Sequence, residues 1–200
     1  MVDQVLNELP RPPSRLKLYL VMAICGAPVF ASYYAYYFVR PEARSNFGEL
    51  IEPQRPTPAL HLKTLDGQPF DTSALRGRWL MLMVAGGDCD AKCVDKLYHL
   101  RQVRLTTGKD RDRVERVWLI PDATPLSTTL MREYDGTQML RVDPAEIATW
   151  LSVPGASDTY ADHLYIVDPL GNLMMQFPTD ADPSKTKRDL SKLLRASRIG

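Results

Sequence analysis

The chain has 200 residues, with 25 Lys and Arg against 24 Asp and Glu, and a hydrophobic share of 44%. So even a balance leaves no basic stripe for a nucleic acid, and the apolar share is enough for one domain of about 100–200 residues plus an appendage. Three cysteines exclude a small fold stapled by several disulfides.

The first element is the run 18–39, LYLVMAICGAPVFASYYAYYFV, which has no charged residue. A helix needs about 20 mostly apolar residues to cross a bilayer, and Tyr33, Tyr34, Tyr36 and Tyr37 crowd one end, where amphipathic rings settle at the membrane–water boundary. Gly26 and Pro28 are tolerated in such helices. Cys25 reads as a lipid-facing or packed residue. Arg11, Arg15 and Lys17 precede the run and Arg40 and Arg44 follow it, a thin bias toward a cytoplasmic N-terminus. The small residues of Phe30-Ala31-Ser32 leave a cleaved signal peptide as the alternative, but the uncharged run exceeds the roughly 7–15 residues of a signal core. The expected layout is a short cytoplasmic N-terminus over 1–17, an uncleaved single-pass anchor over 18–39 in an inner membrane, a proline-containing tether over 40–57, and a domain over 58–200 on the periplasmic side. There, dithiols meet oxidising partners.

Within the domain, residues 59–63 have strand character and end in the Asp66-Gly67 turn, and Asp71 or Thr72 caps a helical turn up to Leu75. Trp79 to Val84 is a continuous apolar run, as expected of a central strand covered on both faces. A glycine loop follows, then a helix opening on Cys89 and carrying Cys93, Leu97, Leu100 and Val103 on one period. Strand 114–120, a helix over 126–134 and strand 138–142 come next, and Asp143-Pro144 opens a helix to about Leu151. The strands 163–167 and 172–177 flank an Asp168-Pro169-Leu170-Gly171 turn as a hairpin, and Asp182-Pro183 starts a last helix with Leu190, Leu193 and Leu194 inward. This order predicts an α/β fold, a thioredoxin-like sandwich with a central mixed sheet flanked by helices.

The cysteine pair carries the chemistry. Positions i and i+4 of a helix share a face about 5–6 Å apart, close enough for two thiolates to hold one soft metal ion or to close a disulfide. A helix N-terminus favours the reactive thiolate; Lys92 adds to that effect, and Asp88 and Asp90 oppose it. Two small buried hydrophobes are the structural alternative. A structural zinc site needs four ligands, and Cys25 is the only other cysteine.

Three segments resemble one family in order. The stretch LKTLDGQPFDTSALRGRWLMLMVAG is similar to the opening of thioredoxin-like proteins of the peroxiredoxin, TlpA and Sco type. The Cys89/Cys93 spacing is that of the Sco (SenC) family, and ADHLYIVDPLGNLMMQF resembles the Sco segment in which a histidine begins the strand before a DPxG hairpin. The resemblance covers roughly residues 58–198. It implies a copper site (Cu(I)/Cu(II)) made by Cys89, Cys93 and His163, with Asp162 orienting the imidazole and Asp122 a weak candidate. It also implies a role in copper-site assembly of cytochrome c oxidase, with the copper-bearing oxidase subunit and a thiol–disulfide partner at the membrane; the balanced charge excludes a nucleic-acid partner. The alternative is a membrane-anchored periplasmic thiol–disulfide oxidoreductase of the thioredoxin type, using Cys89 and Cys93 without copper. His61 and His99 read as surface or packing residues.

Overall fold

The computed structural model describes residues 15–38, 46–152, 159–197 and 199. Arg11 and the rest of 1–14, Val39, and the tether's first residues with Arg40, Pro41 and Arg44 lie outside them. The chain divides into two compact units, 1–45 and 46–200. In the first, helix α1 spans Arg15–Phe38 with Pro28 inside it and is apolar and long enough to cross a membrane.

In the second unit the strands are β1 (Glu49–Pro56), β2 (Trp79–Val84), β3 (Val114–Ile120), β4 (Thr137–Arg141), β5 (Leu164–Val167) and β6 (Asn172–Phe177). The helices are α2 (Ala91–Thr106), α3 (Thr128–Glu133), α4 (Pro144–Leu151) and α5 (Pro183–Ala196). One six-stranded sheet has the order β1-β6-β5-β2-β3-β4. β2, β3 and β4 run parallel through α2 and α3, whereas β5 and β6 form an antiparallel hairpin and β1 adds antiparallel to β6. This is the mixed, helix-flanked sheet that the element order predicts.

Side chains alternate across a sheet, and here the alternation sorts the core into two halves. Trp79, Met81 and Met83 pack with α2 and α5, through Cys93, Leu97, Leu100, Leu190 and Leu194. Leu80, Leu82 and Val84 face the other way, onto Ile147, Trp150 and Leu151 of α4 and onto Leu60 and Leu62. β2 and β3 are buried along their whole length. β2 therefore reads as an unbroken apolar run, whereas β3 also buries Glu115, paired with Arg78 at 2.6 Å, and Arg116, which donates to the Asp135 carbonyl.

Several boundaries differ from the sequence reading. The second half of the expected tether is β1: Leu50 pairs with Met175 and Arg55 with Leu173, and the Phe47 and Gly48 amides both donate to the buried Asp189 carboxylate of α5. Its prolines hid it, and an edge strand is where a sheet accommodates proline. Residues 59–63 are not a ladder strand. Leu60 and Leu62 are buried as the alternation suggests, but the backbone pairs only through bridges from Lys63 to Arg141 and Pro69. The third helix is shorter than 126–134, and β4 begins one residue early, at Thr137. β5 begins at Leu164, so His163 stands just before the strand. The most consequential shift is at the cysteines: α2 begins at Ala91, so Cys89 lies outside the helix.

Candidate functional site: the Cys89–Cys93 disulfide

β2 runs into this site. At its end the Ala85 amide donates to the Leu119 carbonyl (3.2 Å) and the Ala85 carbonyl accepts from the Trp118 indole (3.0 Å). The next two residues are glycines because the following loop presses on them. A Cβ on Gly87 would lie 2.3 Å from the Thr124 carbonyl oxygen, and one on Gly86 would lie 2.6 Å from Asp122 Oδ2 and 2.7 Å from Asp88 Oδ1. Asp122 fastens the two loops together, accepting from the amides of Gly87 (3.1 and 3.2 Å) and Thr124 (2.9 Å). Arg141 donates to the carbonyls of Asp122 and Thr124. Asp122 is therefore a clamp behind the loop, its carboxylate occupied by backbone.

Asp90 caps α2, its Oδ1 accepting from the Cys93 amide at 2.9 Å. An aspartate there takes the N-cap role and leaves Cys89 one residue outside the helix. Cys89 has φ 38°, a left-handed conformation uncommon for a side-chain-bearing residue. The loop turns the Cys89 side chain back toward the first helical turn. Cys89 and Cys93 are joined in a disulfide with Cα atoms 5.1 Å apart. The two sulfurs thus meet across a loop–helix junction and not on the one helix face that the spacing alone predicts. They also differ in access: Cys93 is 3% exposed, and Cys89 is half-buried.

A cavity of about 210 Å³ runs beside the bond, lined by both cysteines with Asp88, Lys92, Lys96 and Asp162. Lys96 Nζ donates to the Ala161 carbonyl. Burial pushes its ammonium pKa down, and the Asp162 and Asp90 carboxylates pull it back up. Asp162, expected to orient His163, closes a capping box with Thr159, whose hydroxyl and amide both donate to Asp162 Oδ2 (2.7 and 3.1 Å). The Thr159 hydroxyl holds the Asp162 carboxyl below the usual carboxylate range.

His163 is buried, and its Nδ1 lies 2.8 Å from the Phe177 carbonyl oxygen. Its backbone is extended (φ −104°, ψ 161°) and continues the alternation of β5. It therefore falls on the Tyr165 side of the sheet, and the two ring centroids are 6.3 Å apart. Cys93 packs on the other side. The structure brings Cys89 and Cys93 together and leaves His163 across the sheet. Among the described residues no group of three or more His, Cys, Asp or Glu side chains is placed to hold a metal ion. His61 is exposed and paired with Glu146 at 2.5 Å, and His99 is buried in α2 beneath Ala181.

The family model described as "Transmembrane-like, thioredoxin-like, C-terminal domain" matches residues 79–197, from the first residue of β2 to just past α5. The chain belongs to that family. Solved structures share the family's fold with this chain at low identity. Yeast Sco1 with copper bound is 16% identical with a TM-score of 0.53, covering 74% of this chain and 96% of that one. A SCO1/SenC family lipoprotein from Bacillus anthracis str. Ames is 14% identical at 0.53, covering 72% and 99%. A thiol:disulfide interchange protein from a Bacteroides species is 12% identical at 0.52, covering 72% and 91%. No curated protein sequence matches the chain. Likeness to both Sco proteins and a thiol:disulfide interchange protein fits the thioredoxin-like fold, and the residues at the disulfide must carry any choice between their roles.

Sequence reasoning missed the Asp122 clamp and the Asp90 cap. Asp90 had a visible signal, a capping residue directly before a helical period. Asp122 had none for the clamp, because the Gly87 amide it holds lies 35 residues away in the chain and its bond to the Thr124 amide is only local.

Proposed function

We propose that the chain is a membrane-anchored thiol–disulfide exchange protein whose redox pair is Cys89 and Cys93. The observation that carries this reading is the disulfide at the head of α2, half-accessible at Cys89 and buried at Cys93. A partner thiolate attacks Cys89 Sγ, the Cys89–Cys93 bond breaks, and Cys93 leaves as a thiolate at the positive end of α2. A second partner thiolate then attacks the partner sulfur of the mixed disulfide and releases Cys89. The partner dithiol is oxidised by two electrons and this chain is reduced by two. The same steps reversed reduce a partner disulfide, once a dithiol donor has reduced Cys89–Cys93. α1 anchors the domain, which faces the periplasm. The motif resemblance points to the copper-binding cysteines of a cytochrome c oxidase subunit as the partner.

The test uses the full chain in detergent, opened with dithiothreitol and read by alkylation and mass. Two sites should become reactive together. Independent alkylation without reduction would sink the pairing. A periplasm-active reporter fused after Gly200 should be active, and recovery of a soluble chain starting near residue 32 would make α1 a signal sequence.

Copper carriage is a second reading, favoured by the short turn over Tyr160–Asp162: Ala161 and Asp162 line the cavity beside both sulfurs, and His163 is the next residue. Copper is cargo in this reading. The reduced cysteines supply two thiolates, which suit Cu(I), and rearrangement of that turn brings the imidazole as a third ligand. The reduced full chain should then bind about one Cu(I), and His163→Ala should weaken binding tenfold or more, in line with the roughly 10–100-fold cost of disturbing metal-site residues, while leaving disulfide exchange intact. Exchange without copper binding against a modest chelator would remove this reading.

A further inference from the structure

Among the described residues, two cavities are lined by Cys89. The first, already described, is polar and holds both cysteines, so it lies along the flank of the disulfide. The second, of about 390 Å³, holds Cys89 without Cys93 and opens toward α3. Leu126 and Leu130 form its apolar wall, both half-buried against the core. Asp88 and Glu133, both exposed, supply its charge, and among the described residues lining it there is no Lys or Arg. Gly87, pressed against Thr124, also lines it.

Thiol–disulfide exchange is an in-line displacement at sulfur. The incoming sulfur, the attacked sulfur and the leaving sulfur approach a straight line, so attack on Cys89 comes from the side away from Cys93. A cavity that contains both cysteines sits beside that line, whereas one that contains only Cys89 can sit at its end.

We propose that the groove between the 86–89 loop and α3 is where the partner's cysteine segment docks, and that it selects an extended peptide whose reacting cysteine is flanked by an apolar residue and a lysine or arginine. This deepens the exchange reading and rests on it. The apolar flank covers Leu126 and Leu130, removing their half-exposed surface from water. The cation meets Asp88 and Glu133, which speeds encounter and sets orientation more than it adds affinity. The partner thiolate forms a bond to Cys89 Sγ as the bond to Cys93 Sγ breaks. A second thiol of the same partner completes its two-electron oxidation.

The experiment compares reductants of the oxidised full chain in detergent. One is a two-cysteine peptide with leucine and lysine beside the reacting cysteine; another is the same peptide with glutamate in place of lysine. Dithiothreitol is too small to read the groove. The lysine peptide should open Cys89–Cys93 about two- to fivefold faster than the glutamate peptide, an advantage of the size exposed ion pairs give, and added salt should shrink it. Glu133→Lys, an exposed change, should bring the ratio to one or below while leaving the dithiothreitol rate unchanged. Leu130→Ala should slow both peptides and spare dithiothreitol. Equal peptide rates on the unaltered chain, or an undiminished ratio in Glu133→Lys, would overturn the groove assignment alone. Failure of dithiothreitol itself to open the bond would overturn the exchange reading and the groove with it.

Discussion

The two faces of the sheet are made by the same strands and buried equally well, yet only one carries the redox pair. On the α2 face, β2 ends in a loop whose two glycines let Asp122 and Thr124 press close, and the first turn of α2 receives Cys89 there. On the α4 face, the Tyr165 hydroxyl donates to the carbonyls of Tyr160 (3.0 Å) and Leu151 (3.4 Å), and a cavity of about 280 Å³ lined by Leu60, Leu62, Leu80, Leu82 and Trp150 contains no cysteine. His163 falls on that side. Both faces carry a cavity, and what distinguishes the α2 face is that the stitched loops around Gly86 and Gly87 set the cysteine pair beside its own.

The sharpest way to break this comparison is to remove a sulfur. Cys89→Ser or Cys93→Ser should abolish exchange entirely and leave the fold intact, which far-UV circular dichroism and alkylation together check. Matched core truncations on the two faces come next. Leu97→Ala on α2 and Ile147→Ala on α4 both empty fully buried sites and should each cost about 2–5 kcal/mol in denaturant unfolding. Only Leu97→Ala, one turn beyond Cys93, should also change the rate of disulfide opening. Equal effects on that rate would mean the faces are not functionally distinct.

Smaller effects sharpen the picture at the edges. Asp189→Ala leaves the amides of Phe47 and Gly48 without their acceptor and should cost about 1–3 kcal/mol, the cost of a buried unsatisfied group. Limited proteolysis should then cut first near β1, with the disulfide face unaffected. The smallest effect concerns pH. Burial pushes the His99 imidazole pKa below its ordinary value, with Asp182 and the Ala181 carbonyl partly restoring it. For a base depressed by folding, the unfolded chain takes up the proton first. Stability is then full above about pH 6.5, the unfolded value, and declines as pH falls toward the folded pKa. His99→Asn should flatten that decline. The carboxylates of Asp71, Glu146, Asp162 and Asp182 are held below their ordinary values by hydrogen bonds, so their loss falls at lower pH, below about 4, and stays in the variant.

The sequence by itself determined most of the scaffold. β2 begins and ends with its apolar run, as expected of a strand covered on both faces, and β3 spans the expected 114–120 although it carries Glu115 and Arg116. Asp143-Pro144 and Asp182-Pro183 open α4 and α5 as their capping chemistry requires. Only the tertiary structure decided the rest. β1 depends on β6 and Asp189, partners more than a hundred residues away, and nothing in its proline-dotted sequence announces them. The placement of Cys89 depends on which residue caps α2: with Asp90 in that role, the pair spans a loop and a helix. The side of the sheet that His163 occupies depends on a single residue of register, because successive side chains of an extended chain point to opposite faces. The residue types named the chemistry. Register and capping decided which of those residues meet.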